Sequence, residues 1–457
     1  MRTRLTSLIL LASLAFACSK DPVPEQEGQP SRSDLVKAGT EYVFDSLAVS
    51  EIHISISSAE WKKLLDAYDK NSNTREYVCA RMVFVKDGEM TVVDSIGLRL
   101  KGNTSRRRPQ DGNGRYRHVH FGIDTDRYVE DRDLKGLRRF DLKWFKDDPA
   151  YVREIYCYDL FRRSGVWTGL RDVYTRLWLK VGSEKEIYYG VYGLLEHINK
   201  DYLRIRKDAF GGKDGNIWKC AHGANLANVN ADFGQDDGYH DHTYVRKTGS
   251  EEDYPQALEQ IKDFVGKINT MPGAIFHNWI STVMDVDLFL KTYAVNVAVG
   301  MWDDYWNNSN NFYLYFNSND PSNYKVWFIP YDYDNTLGTC LNCGVQSDAG
   351  RQNPYNWGSA NNPLVKKILE NSAWKQTYKR YLQELCCDGG LSSPEVATAR
   401  IASMQALIKD YVANDTGDDN YLYDSPAYWG SHGEYRIMSS GPDNFFTVKA
   451  AVVSAMK

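Results

Sequence analysis

Proline is scarce in this chain, and an excess of either charge is absent. The 457 residues include 14 Pro, and 55 Lys and Arg nearly balance 60 Asp and Glu, for a net charge of −5. The lack of a positive field removes nucleic acid as a default partner. A collagen-like composition is excluded, and 31 Tyr, 17 Phe and 12 Trp exclude disorder over most of the chain. The length predicts roughly two or three domains, or one large two-lobed unit.

The chain also lacks long apolar runs, and a short apolar run lies at its N-terminus. Two arginines precede the apolar stretch 8–16, which is too short to span a bilayer and is typical of an export signal. Cys18 follows a small residue, as in the lipobox of bacterial lipoproteins, and a simple cleaved signal peptide is the alternative. We therefore predict a signal peptide over 1–17, lipidation of Cys18 and a flexible tether over 18–40. The expected location is the membrane of a diderm bacterium, as an exported, anchored lipoprotein facing the periplasm or the cell surface.

Cysteine is rare, and its use is ambiguous. Seven cysteines remain after Cys18, and an exported compartment permits disulfides. Cys340 and Cys343, together with the vicinal pair Cys386 and Cys387, could instead form a four-thiolate zinc site, although vicinal thiols have poor geometry for it. Disulfides, buried free thiols and a zinc site all stay open, in that order of preference.

Two kinds of periodicity divide the chain. Strand-like alternation predominates over 41–210, and helical patterns predominate over 251–457, where a hairpin at 311–330 interrupts them. The segment 211–250 is rich in Gly, Asp, Asn and His and is predicted to be an ordered loop or insertion. We therefore predict an α+β fold of two lobes, with an antiparallel-sheet-rich N-lobe, a helix-rich C-lobe and an active site at their junction.

The common hydrolase motifs are absent, since the chain has neither Gly-x-Ser-x-Gly nor His-Glu-x-x-His. Instead, acidic motifs flank the predicted hairpin. The segment 301–311 contains two adjacent Asp and several Asn, and the segment 327–338 contains Asp332 and Asp334. A hairpin brings its ends together, and carboxylate and amide oxygens suit Mg²⁺ beside nucleotide phosphates. An Asp, an Asn, a hairpin and a further Asp is also the order used by protein kinases.

Two weaker patterns compete with this one. His222, His240 and His242 lie among aspartates in one loop, but their irregular spacing is more typical of a solvated polar loop than of a metal site. Exposed Trp and Tyr would suit glycan binding at a cell surface. Most of these aromatics fall in strand and helix patterns, however, and therefore indicate core packing.

Six stretches, taken in order over most of residues 45–390, resemble the CotH family, which is named for spore coat protein H and consists of atypical secreted kinases. The resemblance implies a two-lobed, atypical protein-kinase-like fold. It further implies Mg²⁺-dependent transfer of the γ-phosphoryl group of ATP to Ser/Thr hydroxyls of exported proteins. The expected partners are ATP, an exported or surface protein and, through Cys18, the membrane, but not nucleic acid. The stretches are Leu98-Arg-Leu-Lys-Gly-Asn-Thr-Ser105, Asp148-Pro-Ala-Tyr-Val-Arg-Glu154, Gly190-Val-Tyr-Gly-Leu-Leu-Glu196, Gly215-Asn-Ile-Trp-Lys219, Asp303–Tyr315 and Pro330-Tyr-Asp-Tyr-Asp-Asn-Thr-Leu-Gly338.

The resemblance also implies roles for individual residues. Asp303 or its neighbour Asp304 matches the catalytic carboxylate, and the Asp-x-Tyr opening favours Asp303. Asn311 and Asp332 match the Mg²⁺ ligands, with Asp334 as a further candidate.

Several charged residues compete for the nucleotide. A small-residue turn follows Lys101, a strand Lys and a helix Glu imitate the Lys–Glu pair of protein kinases, and a further Lys ends the fourth stretch. The glutamate that ends the third stretch either lies near the nucleotide or forms a salt bridge. These candidates are Arg99, Lys101, Lys143, Glu154, Glu196 and Lys219.

One departure from the family pattern leaves a second function open. The residues Trp306–Ser309 resemble a small insertion between the first carboxylate and the Asn. If the insertion displaces Asp303, the chain would be a catalytically inactive surface protein that uses the fold for binding, structure or adhesion.

Overall fold

A computed structural model describes residues 31–238, 240–339, 348–358, 362–424 and 435–457. Strands predominate in the first part of the chain and helices in the second, which confirms the predicted α+β class and the order of its two parts. The predicted signal peptide and Cys18 lie outside the described residues. None of the helices in these ranges is both long enough and apolar enough to cross a membrane.

The predicted tether ends in a helix. Ser31 caps helix α1 (Arg32–Val43), and its hydroxyl accepts a hydrogen bond from the Asp34 N–H. Val36, Thr40 and Val43 of this helix are buried. The segment predicted as a tether, 18–40, therefore includes most of a helix, because a capped helix with one apolar face gains free energy by packing that face.

Seven strands close into a barrel, rather than forming an open antiparallel sheet. The strand order is β1-β2-β3-β4-β5-β7-β6, and a parallel pairing of β1 with β6 closes it. The prediction missed this closure because the two strands lie more than 100 residues apart and the hydrophobic pattern does not specify a partner. Side chains such as Ile52, Leu98 and Leu142 fill the interior. The strands are β1 (Ser50–Ile56), β2 (Val78–Lys86), β3 (Glu89–Lys101), β4 (His120–Asp124), β5 (Arg139–Lys143), β6 (Asp172–Val181) and β7 (Ile187–Glu196).

The polar segment 211–250, predicted to be an ordered loop or insertion, contributes three short strands to a second sheet. Its three short strands join the predicted hairpin in the order β12-β11-β8-β10-β9. Trp218 is fully buried in this sheet. The sequence pattern did not indicate these strands, because polar turns dominate the local composition and β8 pairs with β11, which is distant in sequence. They are β8 (Asn216–Cys220), β9 (Phe233–Gln235), β10 (Tyr244–Arg246), β11 (Phe312–Phe316) and β12 (Val326–Pro330).

A second hydrophobic core joins the outside of the barrel to the second sheet and the helices. Its central element is α3, in which every residue from Arg153 to Phe161 is buried. The helices that follow α1 are α2 (Ser58–Lys70), α3 (Arg153–Arg163), α4 (Lys200–Ile205), α5 (Lys207–Phe210), α6 (Tyr254–Thr270), α7 (Gly273–Val283), α8 (Val286–Ala298), α9 (Tyr305–Asn308), α10 (Pro363–Glu370), α11 (Ser372–Cys386), α12 (Pro394–Ala406) and α13 (Phe445–Ser454), with a 3₁₀ turn at Pro354–Asn356.

The five described cysteines are free thiols, contrary to the preference for disulfides. Cys157, Cys220 and Cys386 are buried in the second core, and burial raises the pKa of each thiol, to about 12 for Cys386. Such cysteines behave as small apolar residues. Cys340 and Cys343 lie outside the described residues.

Candidate functional site

Lys143 is the centre of a cluster of acidic side chains. It is the last residue of β5, and its Nζ lies 2.6 Å from Glu154 Oε2, 2.6 Å from Asp332 Oδ1 and 3.6 Å from Asp334 Oδ2. Burial by itself lowers the pKa of Lys143, but the charges of Asp332, Glu154 and Asp334 outweigh it and raise the pKa well above its usual value. A strand, the helix that follows it and a hairpin motif that is distant in sequence therefore meet at one ammonium group.

The start of α3 holds this cluster together. The Asp148 carboxylate accepts hydrogen bonds from the backbone N–H groups of Val152 and Arg153 at 2.8 and 2.9 Å and thereby caps the helix. The Arg153 guanidinium, fully buried, pairs with Asp148 and donates to the Thr336 carbonyl at 3.2 Å. Tyr158 Oη accepts from the Asp332 N–H at 3.0 Å. The helix that carries Glu154 thus positions the loop that carries the two aspartates.

The three carboxylates around Lys143 outnumber the single positive charge that this residue offers them. One oxygen each of Glu154, Asp332 and Asp334 lie within 4.8 Å of one another. Glu154 Oε1 and Asp334 Oδ1 are buried and have no hydrogen-bond partner in the described residues. Burial and the charge of Asp332 raise the pKa of Asp334 well above its usual value, whereas Lys143 and Lys219 hold the pKa of Asp332 down against burial. Buried oxygens without partners are costly, and hard oxygen ligands in this number fit a divalent cation such as Mg²⁺.

Asp303 lies in an amide-rich turn beside this cluster. Its Oδ1 accepts from Asn308 Nδ2 and, at 3.1 Å, from Asn310 Nδ2, and its Oδ2 accepts from Asn311 Nδ2 at 3.0 Å. Burial raises the pKa of Asp303, these amide donors lower it, and the charge of Asp332 raises it further. The suspected insertion forms helix α9 and leaves Asp303 in contact with Asn311. The candidate base and the candidate metal ligand are therefore neighbours.

Asp304 points away into the core. It is the N-cap of α9, where its Oδ1 accepts from the Asn307 N–H at 2.7 Å and its Oδ2 accepts from Asn296 Nδ2 of α8. Tyr333 Oη donates to Asn296 Oδ1 at 2.9 Å. Burial raises the pKa of Asp304 to about 7. Both carboxylate oxygens thus serve to join α8, α9 and the aspartate loop.

Three of the predicted basic residues have partners outside the acidic cluster. Lys101 of β3 pairs with Asp141 of β5, and His197 Nδ1 lies 3.1 Å from the same Asp141 carboxylate. Lys219 of β8 has its Nζ 5.7 Å from the Tyr331 ring centroid. Arg99 donates from Nε to Tyr77 Oη at 3.1 Å, rather than to a carboxylate. Each of these three cations therefore has a different partner, and the charge of Lys219 acts on Asp332.

Two sequence candidates have other contacts. Glu196 is buried and accepts two hydrogen bonds of 2.7 Å from the Arg206 guanidinium, which is the salt bridge that the sequence left open. In the polar loop, His240 pairs with Asp237 and His242 Nδ1 lies 2.8 Å from Asp232 Oδ1. These histidines belong to no group with metal-binding geometry among the described residues.

Sequence reasoning missed three ionisable groups at the site, of which two, Asp141 and Asp172, are buried. Asp172, the first residue of β6, has a buried Oδ1 without a hydrogen-bond partner and faces Gly193, and it lines the same pocket as Lys143, Glu154 and Asp334. Asp141 and His197 were also missed. The only sequence feature that marks Asp141 and Asp172 is an acidic residue within a hydrophobic strand pattern. This pattern does not show which charged group the acidic residue contacts.

Comparisons with known proteins show the family of this chain. Residues 98–437 match the family model described as CotH kinase protein. The chain is 27% identical to inner spore coat protein H of Bacillus subtilis (strain 168) over 295 residues, which cover 63% of this chain and 72% of the relative. It is 23% identical to invasin CotH7 and 21% identical to spore coat protein homolog 1, both of Rhizopus delemar, and covers 52% and 53% of their lengths. The family match spans well over half of the chain, and the protein therefore belongs to the CotH family.

Proposed function

We propose that this protein is a Mg²⁺-dependent kinase that transfers the γ-phosphoryl group of ATP to Ser/Thr hydroxyls of exported proteins. The observation that carries the proposal is the meeting of Lys143, Glu154, Asp332 and Asp334 beside the amide-bound Asp303. Phosphoryl transfer needs little covalent chemistry from a protein, because positioning and charge stabilisation account for most of the rate.

The order of elements supports a kinase-like, two-lobed arrangement. In protein kinases a strand Lys pairs with a Glu on the following helix, and a catalytic Asp, an Asn and a metal-binding Asp come later in the chain. Here β5 carries Lys143, α3 carries Glu154, and the later hairpin separates Asp303 and Asn311 from Asp332.

Each residue then has a defined task. Asp332 and Asp334 would hold Mg²⁺ with Asn311 nearby, and the bound ion would neutralise charge on the phosphates. Lys143 pairs with the two aspartates and Glu154 and thereby fixes their positions relative to one another. Asp303, held by three asparagine amides, accepts the proton of the acceptor hydroxyl and orients that oxygen. We assign this role to Asp303 rather than Asp304, because Asp304 is buried and its oxygens accept hydrogen bonds from the core, whereas Asp303 is only half-buried.

The proposed location is the outside of the cytoplasmic membrane, through a lipid on Cys18. The export signal in the sequence supports it, as does the similarity to a protein that is named for the inner spore coat.

A phosphotransfer assay tests the proposal. The chain from residue 31 onwards is incubated with γ-labelled ATP, Mg²⁺ and a generic Ser/Thr acceptor, alongside Asp332→Ala and the exposed control Asp214→Ala. We expect labelling by the parent chain and by Asp214→Ala, and loss of both labelling and Mg²⁺-dependent nucleotide binding in Asp332→Ala. Equal labelling by all three proteins, or by none, would reject the assignment.

The contact between Lys143 and Asp332 also favours a second candidate, an inert surface protein that uses the fold for binding or adhesion. A metal ion must share Asp332 with an ammonium group 2.6 Å away. If that ion pair excludes Mg²⁺, the cluster is a structural salt-bridge network. Calorimetry with Mg²⁺ and ATP decides between the two candidates, because the inert protein would bind neither.

A further inference from the structure

His118 is fully buried where the segment 414–419 packs against the barrel, and each of its ring nitrogens faces an acceptor. Nε2 lies 2.5 Å from the Tyr189 carbonyl oxygen, and Nδ1 lies 3.2 Å from Asp419 Oδ2 and 3.7 Å from Asp418 Oδ2. Carbonyl and carboxylate oxygens accept hydrogen bonds but do not donate them, and a neutral imidazole carries a single N–H. Both contacts are therefore satisfied together only when the ring is an imidazolium.

The immediate surroundings of His118 also favour the charged ring. The Thr416 hydroxyl lies 3.3 Å from Nε2, but it donates to Asn414 Oδ1 and so does not replace the ring proton. His118 Nδ1 and Asp419 Oδ2 are buried and form no hydrogen bond with another of the described residues, so their ion pair is what offsets the cost of burying them. Gly190, with φ +133°, leaves room for the ring, because a Cβ there would lie 2.6 Å from Nε2.

The segment 414–419 lies outside any helix or strand and is attached to the barrel by separate contacts. The Asp415 N–H donates to the Tyr188 carbonyl at 2.9 Å, and the Tyr188 N–H donates to Asp415 Oδ2 at 3.1 Å. The Thr416 carbonyl accepts from two nitrogens of the Arg115 guanidinium at 3.0 and 2.8 Å. Strand β7 and the loop 102–119 therefore both bind this segment.

Arg107 connects the same segment to the candidate site. Its Nη2 donates to Asp418 Oδ2 at 2.7 Å, and its Nε donates to the His118 carbonyl at 2.6 Å. The guanidinium lies over the Trp144 ring, 4.1 Å from the centroid. Trp144 directly follows Lys143, so the segment 414–419 is joined through one arginine to the residue next to the centre of the site.

The charged and titratable groups around His118 come from several elements. Asp418 and Asp419 face it from the segment 414–419, and Arg107 lies on its own loop. Two tyrosine rings of β7 lie 5.7 Å from the imidazole, and their hydroxyls donate to backbone carbonyls. Burial and the charge of Asp419 raise the pKa of Tyr151, which therefore stays neutral. The two aspartates are thus the anions that face the ring among the described residues.

We propose that the segment 414–419 is a pH-sensitive latch, which the His118 imidazolium holds against the barrel through Asp419 and which loosens when the ring loses a proton to solvent. The latched state binds one proton more than the released state. Attachment is therefore strongest at low pH and weakens as the pH rises through the range in which imidazoles titrate, about 5 to 8. This inference concerns the fold and does not depend on phosphotransfer.

Hydrogen–deuterium exchange read by mass spectrometry tests the latch without any nucleotide. Protection factors, which correct for the effect of pH on exchange in an unfolded chain, are compared at about pH 5.5 and about pH 8.5. For the parent chain we expect protection of the segment 414–419 to fall by about tenfold or more at the higher pH, because a charged contact is lost. Protection of α11 should not change in parallel.

Three variants assign the effect to His118. His118→Gln does not titrate and should show low protection of the segment at both pH values. Asp419→Asn, whose side chain is 25% exposed and is easier to replace, removes the counter-charge and should also abolish the pH dependence. His277→Gln is the matched control, since His277 lies on α7 with its Nε2 2.9 Å from the Lys367 carbonyl oxygen, and it should behave as the parent does. Thermal melting shows whether each variant is folded.

The outcomes decide for or against the latch. Protection that differs by less than twofold between the two pH values in the parent chain would overturn it. A pH dependence that persists in Asp419→Asn would equally overturn it, and this holds even if His118→Gln does not fold. Loss of the pH dependence in Asp419→Asn but not in His277→Gln supports the latch, whether or not the chain transfers phosphate.

Discussion

At the scale of single residues, the site separates two adjacent aspartates by what their oxygens contact. Asp303 accepts from three asparagine side chains at the edge of the acidic cluster, whereas Asp304 caps α9 and binds Asn296 in the core. The sequence favoured Asp303 only through its resemblance to an Asp-x-Tyr opening, and the direction of each side chain now distinguishes the two residues.

Replacement of Asp303 should therefore affect catalysis and not folding. For Asp303→Asn we expect kcat to fall by about 10² to 10⁴-fold, because the acceptor hydroxyl loses its proton acceptor. Nucleotide affinity and melting temperature should stay close to those of the parent chain. Asp304→Ala is the contrasting variant and should lower the melting temperature, since a lost N-cap costs about 1 kcal/mol. Normal kcat in Asp303→Asn would remove this residue from the mechanism.

His120 makes the stability of the barrel depend on pH. Its Nδ1 accepts from the Trp144 N–H at 3.0 Å, and burial together with the charge of Lys143 lowers its pKa to about 3. Because the folded state favours the neutral ring, His120 contributes fully to stability at a pH above the unfolded-state pKa near 6.5. This contribution is lost as the pH falls from 6.5 towards 3, since the unfolded state then binds a proton that the folded state does not. His120→Asn keeps an acceptor but does not titrate. The difference in unfolding free energy between parent and variant, measured by urea titration, should fall by up to about 1.4 kcal/mol per pH unit in this window. A constant difference would show that His120 is not buried as a neutral ring.

At the scale of elements, the second sheet depends on a close approach of two backbones. Gly215 precedes β8, and a Cβ at this position would lie 1.9 Å from the Phe316 carbonyl oxygen at the end of β11. The strand that ends in Lys219 therefore pairs with the hairpin only if residue 215 has no side chain.

Substitution of this glycine should weaken the sheet. We expect Gly215→Ala to reduce the unfolding free energy by about 1–3 kcal/mol, because the backbone must shift to relieve the overlap. Gly112→Ala is the matched control, since a Cβ there has no neighbour within 4 Å and the backbone is not in the left-handed region. Chemical denaturation of both variants measures the effect. Equal unfolding free energies for Gly215→Ala and Gly112→Ala would show that the backbones of β8 and β11 can move apart without loss of stability.

At the scale of the whole molecule, the second hydrophobic core contains residues of both parts. Helix α3 lies between β5 and β6 in sequence, yet its buried residues belong to the hydrophobic cluster that continues into α8, α11 and α12. The barrel and the helices are thus joined by buried apolar side chains.

The predicted N-lobe should consequently not fold alone. A fragment of residues 41–210 would expose the buried face of α3, so we expect it to aggregate or to lack a cooperative unfolding transition, whereas residues 31–457 should unfold in one step. Circular dichroism and limited proteolysis of both proteins provide the measurement. A stable, cooperative fragment would show that the barrel is an independent domain.

The sequence by itself determined the local elements and the identity of the reactive groups. The strand alternation over 51–56 and 187–196, the helices from 254 onwards and the acidic motifs at 303 and 332 all follow from periodicity and residue chemistry. The pairing of Lys143 with Glu154 was also predictable, because a strand followed by a helix brings them into one supersecondary unit. The tertiary structure alone decided the closure of the barrel by β1 and β6, the strands within 211–250, the inward turn of Asp304 and the different partners of Lys101, Lys143 and Lys219. The physical reason is that burial and charge pairing depend on residues far apart in sequence, whose proximity no local pattern records.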